Sequence, residues 1–233
     1  MKEKLYMNWS SGKDATLALY HLKKSDLFDV DLLFTTISKD NNRVSMHGLH
    51  KTLLQAQAAA IGLPLELLEL PDSPEMITYN QLMQEKMEKL KQKGYKHTAF
   101  GDIFLEDLRA YREKQLAKLA IKAHFPLWKK DTKQLMKEFL AEGFKAIVVS
   151  ANAKWFDPTV FDQPITQAWV EALPEEVDAC GENGEFHTFC FDGPIFKKPI
   201  PIKSGKPLKK SYTDPSDNNK TIDFWFGDLQ LAE

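Results

Sequence analysis

The chain has 233 residues with 31 Lys+Arg against 33 Asp+Glu, and a formal net charge of −2 excludes the strongly basic footprint of a non-specific nucleic-acid binder. At this length about two-thirds to three-quarters of the chain's surface can be buried, enough for a full core and a cleft in one large domain or a large and a small one. Two cysteines, Cys180 and Cys190, are too few for a disulfide framework, no apolar run approaches the roughly 20 residues that span a bilayer, and no secretory leader is evident, so a reducing cytoplasm with no membrane and no nucleic-acid partner is expected.

In chain order, short apolar runs at 5–9, 30–37, 65–70, 98–100 and 146–149 read as buried strands. Helix-period segments alternate with them. The spacing of Ala15, Ala18, Leu19 and Leu22 predicts a helix over 14–24, and that of Leu54, Ala58 and Ile61 one over 49–61. Met76, Tyr79, Met83, Met87 and Leu90 predict another over 75–93, with further helices over 106–124 and 131–142. Gly62, Gly94 and Gly143 stand where helix C-termini favour a left-handed residue. Alternation over residues 1–150 predicts an α/β fold, a doubly wound parallel sheet of those five strands that binds ligands at its carboxyl ends. Over 151–233 the texture changes to frequent prolines, one helix near 165–173, β-type runs at 186–191 and 221–226, and a turn sequence, TDPSDNN at 213–219, suited to close a hairpin. A smaller, partly antiparallel α+β region packed on the first is expected.

The turn SSGKD, residues 10–14, leaves the first strand and enters the first helix, so its backbone N–H groups and the helix's positive end face one point, an anion site by construction. It is not a Walker A loop, which has Gly where Met7 stands and Ser or Thr where Asp14 stands. Lys13 is expected to neutralise phosphate, Ser10, Ser11 and Gly12 to supply small donors and close backbone approach, and Asp14 to cap the helix or reach Mg²⁺. An ordinary capped strand-to-helix turn is the plainer alternative.

WSSGKDA at 9–15 resembles the PP-loop SGGKDS of the N-type ATP pyrophosphatases, and RVSMHG at 43–48, GDIFLEDLRAYRE at 101–113 and CGENGEFHT at 180–188 extend the resemblance to the diphthine-ammonia ligase family. Two residues depart from the family loop: Ser11 replaces a glycine and Ala15 the final serine. The resemblance implies a Rossmann-like nucleotide-binding domain over 1–150 and a substrate-binding region over 151–233. It also implies ATP and Mg²⁺ as cofactors. The activity implied is adenylation of a substrate carboxylate, with AMP and pyrophosphate released and ammonia transferred. The acceptor implied is diphthine on elongation factor 2, with a small metabolite as the other reading. A non-catalytic adenine-nucleotide sensor is the alternative class, and a homodimer through the second region is a further expectation.

Site residues follow by motif. Gly101 and Asp102 fall on the sheet's rim, where Asp102 faces Mg²⁺ or ribose. Glu106, Arg109 and Glu113 share a helix face and as isolated residues read as a solvated ion-pair face; the resemblance moves Arg109 and Arg112 toward the substrate. His47 is placed by resemblance at the nucleotide, while His50 reads as surface. If residues 185–189 form a strand, Glu185 and His187 project side by side from one face, as catalytic groups able to orient an amine, take its proton or hold a carboxylate. Cys180, Glu182, Asn183 and Thr188 complete the substrate set, against the plainer reading of a turn and an edge strand. Cys180, His187 and Cys190 lack the paired close ligands of a structural zinc site, and the near-neutral charge argues against the persulfide tRNA thiolases, which are relatives within the superfamily.

Overall fold

The computed structural model describes residues 2–44, 48–71, 74–214 and 217–232. Five strands, β1 (Glu3–Asn8), β2 (Phe28–Ser38), β3 (Leu65–Leu70), β4 (His97–Ala99) and β5 (Lys122–His124), form an all-parallel sheet in the order β3-β2-β1-β4-β5. Strand β1 lies at its centre, and Leu5, Tyr6 and Met7 are all fully buried because helices or the second sheet cover both faces. The chain winds outward from β1 through β2 to β3, then returns to the other side of β1 as β4. That reversal opens a crevice at the carboxyl ends of β1 and β4.

Helices α1 (Lys13–Lys24), α2 (Lys51–Ile61), α3 (Met76–Gln92), α4 (Glu106–Ala117) and α5 (Thr132–Ala141) match the expected segments, with one difference of length. The expected helix over 106–124 stops at Ala117; Ala120 then takes a positive φ of 53° and the chain enters β5. The fifth parallel strand is therefore Lys122–His124, and the apolar run at 146–149 belongs instead to β6 (Lys145–Asn152). A three-residue edge strand carries no apolar run, whereas a central strand buried on both faces carries one in either kind of sheet.

Strand β6 is an inner strand of a second, antiparallel sheet, ordered β7-β6-β10-β9, with a short α6 (Gln167–Glu171) before β7 (Phe186–Asp192). A small β8 (Ile202–Lys203) and β11 (Gln230–Leu231) pair flanks it. Strands β9 (Leu208–Asp214) and β10 (Asp217–Phe226) form the expected hairpin, with Asp214 paired to Asp217; Pro215 and Ser216 lie outside the described residues. The two sheets share one apolar core that joins Leu5, Leu19 and Leu33 to Val149, Phe186 and Phe189. A second core on the opposite face of the parallel sheet joins Tyr6 and Phe34 to Met87, Leu90 and Leu116 of α3 and α4. Among the described residues no helix is long and apolar enough to cross a membrane.

Candidate functional site

A cleft of about 1090 Å³ opens at the carboxyl ends of β1, β2 and β4, roofed by the second sheet. Its floor is the turn between β1 and α1. Ser11 there takes φ +73°, a conformation that costs a residue with a Cβ about 1–2 kcal/mol and that glycine adopts freely. Ser11 thus carries a Cβ at a position where a glycine would be unstrained. Hydrogen bonds hold the turn: Ser11 O accepts from Cys190 N at 3.0 Å and from Gln57 Nε2 at 3.0 Å. Gln57 is wholly buried; it also donates to Cys190 O at 2.6 Å and accepts from Trp9 Nε1 at 2.7 Å, so α2 fastens the loop to β7.

Asp14 does not cap α1. The cap is Gly12, with no side-chain bond of its own, and Lys13 N donates instead to Thr188 Oγ1 on β7 at 3.0 Å. A Cβ on Gly12 would stand 3.2 Å from Thr188 O, so a small residue allows this approach. The Lys13 ammonium is buried and lies 2.8 Å from Asp14 Oδ2, donates to Cys180 O, and sits 5.3 Å from the centroid of the Phe186 ring. Burial is the largest single influence and lowers its pKa, but the charge and hydrogen bond of Asp14 together with Cys180 and Glu182 outweigh it and raise the pKa, so the group remains a cation.

Gly101 and Asp102 follow β4 directly across the crevice. A Cβ on Gly101 would meet Ala15 N at 2.8 Å, so only glycine lets the end of β4 pack against the start of α1. Asp102 is 3.3 Å from the Arg112 guanidinium, yet burial outweighs that charge and, with Asp14 nearby, raises the Asp102 carboxyl. Its Oδ2 is buried without a hydrogen bond. Arg112 lies over the Phe100 ring at 4.1 Å and faces the cleft, whereas Arg109 turns to Glu113 and to the rings of Phe125 and Trp128, outside it.

The segment 180–188 does not place Glu185 beside His187. Strand β7 begins at Phe186, so the alternation of faces starts after Glu185, whose carboxylate accepts from Asp178 N, Asn183 N and Asn183 Nδ2 at 2.9, 3.0 and 3.0 Å. It organises the turn from behind and does not line the cleft. The carboxyl that does is Glu182, which accepts from Ile103 N at 3.1 Å; burial, then Asp14, push its pKa up to about 7. His187 lines the cleft with its pKa brought down to about 4 by burial and by Lys13, so it is neutral near pH 7. Cys180, Asn183 and Thr188 also line it; burial pushes the Cys180 thiol up, against a reactive thiolate.

Of the expected residues, Ser10, Gly12, Lys13, Asp14, Gly101, Asp102, Arg112, Cys180, Glu182, Asn183, His187 and Thr188 converge on this cleft. Ser11 underlies it, and His47 lies outside the described residues. Sequence reasoning missed Gln57, Ser150 and Asn152. Gln57 carried a weak signal, a long polar residue on the apolar face of a helix, and the other two carried none.

A sequence model described as the diphthamide synthase N-terminal domain matches residues 3–123, and one described as the diphthamide synthase C-terminal domain matches residues 131–214. The diphthine–ammonia ligase of Mus musculus is 33% identical over 93 residues, 36% of this chain and 34% of that protein. That of Danio rerio is 30% identical over 139 residues, 56% of this chain and 52% of that protein. The chain thus spans about a third to a half of the length of these relatives. Among solved structures, the U34-tRNA thiolase NcsA from Methanococcus maripaludis, with its 4Fe-4S cluster, is 14% identical, with a TM-score of 0.39 over 60% of this chain and 58% of that one.

Proposed function

Because the chain belongs to the diphthamide synthase family, we propose that it is an ATP-dependent ligase that adenylates the carboxyl group of diphthine on elongation factor 2 and transfers ammonia to it. The observation that carries the reading is the closure of the 180–188 segment on the phosphate loop: Thr188 binds Lys13 N and Cys180 O binds the Lys13 ammonium, so loop and motif form one site. Charge arriving at the helix N-terminus meets Lys13, which exchanges Asp14 for phosphate and spreads the charge leaving as pyrophosphate. The residues present fit a divalent cation, because Asp14 and Asp102 face one cleft within electrostatic reach of each other, and Asp102 Oδ2, ion-paired with Arg112 at 3.3 Å, makes no hydrogen bond. Mg²⁺ held there with phosphate oxygens would neutralise charge on the nucleotide. Glu182, with a pKa near neutrality, takes the proton released as the amide forms, and Glu185 positions it through the turn.

The test follows phosphorus species by NMR in a mixture of protein, ATP, Mg²⁺, ammonium and diphthine-bearing elongation factor 2, beside Lys13→Ala. Acceptor-dependent AMP and pyrophosphate, reduced about 100- to 1,000-fold in the variant, is the expected result. ADP with phosphate overturns the ligase reading in favour of a hydrolase. Bound, intact ATP overturns it in favour of a sensor, which the alanine at position 15 of the loop favours.

A further inference from the structure

Among the described residues, two buried side-chain oxygens have no hydrogen-bond partner, Asp102 Oδ2 and Ser150 Oγ, and both residues line this cleft. A buried polar group without a protein partner marks a place that something else completes. Asp102 Oδ2 is ion-paired with Arg112 at 3.3 Å, so it has a partner and belongs to the nucleotide side. Ser150 lies on the other wall and is 1% exposed.

Its position follows from a bulge. In the antiparallel pairing of β6 with β7, Val148 faces Thr188 and the next pair is Ser150 with His187, so Val149 is the extra residue. The bulge sets Ser150, not Val149, opposite His187, and bulges re-aim side chains in this way beside functional sites. Thr188 touches the loop through Lys13 N, and Ser150 stands across from its chain neighbour His187, one inter-strand spacing away, roughly 5 Å. Two residues on, Asn152 also lines the cleft, with Oδ1 accepting from Lys154 N at 2.9 Å. Hydroxyl, carboxamide and neutral imidazole make a polar row without formal charge. Such a row suits an acyl oxygen, whereas the charged loop suits phosphate.

We propose that Ser150 is a catalytic residue of the amide-forming half-reaction, its hydroxyl donating to the acyl oxygen of the activated carboxyl group beside His187; this rests on the ligase reading above. In that half-reaction the ammonia lone pair attacks the acyl carbon and the carbonyl pair moves onto the acyl oxygen, where Ser150 Oγ–H meets the developing charge. Collapse breaks the bond from the acyl carbon to the AMP oxygen, AMP leaves with that pair, and nitrogen gives up a proton to Glu182.

Measuring the half-reactions separately tests this. ATP–pyrophosphate exchange with diphthine-bearing elongation factor 2 and no ammonium reports adenylation; amide formation with ammonium reports the second step. In Ser150→Ala, exchange and melting temperature are expected to stay near wild type while amide formation falls about 100-fold. Ser150→Cys, similar in volume and a weaker donor, should fall between. Wild-type amide formation in Ser150→Ala overturns the proposal, leaving the hydroxyl to a structural water, and so does equal loss in both half-reactions. Failure of the wild type to catalyse exchange overturns the ligase reading, and this proposal with it.

Discussion

The two walls of the cleft are built on different principles. The wall from the parallel sheet is charged and closely tied: Lys13 with Asp14, Asp102 with Arg112, and a loop laced to α2 and β7 by Gln57. The wall from the antiparallel sheet is neutral and aromatic, with Ser150, Asn152 and His187 among Tyr212, Phe224 and Phe226. A triphosphate needs fixed cations and backbone donors, which are best preorganised before it arrives. An acyl group passing through a neutral carbonyl needs donors without net charge. Under the ligase reading proposed above, the division of chemistry along the cleft follows the division between the sheets.

Removing the lacing tests whether the loop wall is preorganised. Gln57→Leu leaves Trp9 Nε1 and Cys190 O without a partner in the interior and is expected to cost roughly 3 kcal/mol in urea unfolding, with weaker ATP binding. A stable variant with unchanged ATP affinity would show that the loop holds itself.

Titration sharpens the contrast next. Glu182 rises from 4.5 to about 7, so the folded state keeps a proton that the unfolded chain has lost; this stability is complete below pH 4.5 and lost as pH rises through 7. His187 falls from 6.5 to about 4, so its contribution has the opposite slope, being intact above pH 6.5 and lost on acidification toward 4. Urea midpoints at pH 5 and pH 8 should show Glu182→Gln gaining on wild type at the higher pH, on the order of 2 kcal/mol, and His187→Gln gaining at the lower. Parallel pH dependence in both variants would break the assignment of opposite protonation states to the two groups.

The smallest effect expected is at the loop's strained residue. Ser11→Gly relieves a positive φ of 73° and should stabilise the fold by about 0.5–1 kcal/mol, while leaving the bonds to Ser11 O in place. A loss of stability would mean that the Ser11 hydroxyl, which donates to Ser10 O, outweighs the backbone relief.

By itself the sequence determined what is local. Four of five parallel strands, the helices, the strand-to-helix turn at 10–14 and the position of the 180–188 segment were legible because backbone periodicity and turn chemistry depend on neighbours a few residues apart. It misassigned β5 because three edge residues, Lys122–His124, show no period, and the run at 146–149 looks the same in any doubly covered sheet. Only the tertiary structure decided which carboxylate of the 180–188 segment faces the cleft, that Thr188 rather than Asp14 meets the start of α1, and that a bulge aims Ser150 at His187. Those pairings join residues as much as 175 positions apart, and their geometry is set by how two sheets pack on one core, which no window of the chain contains.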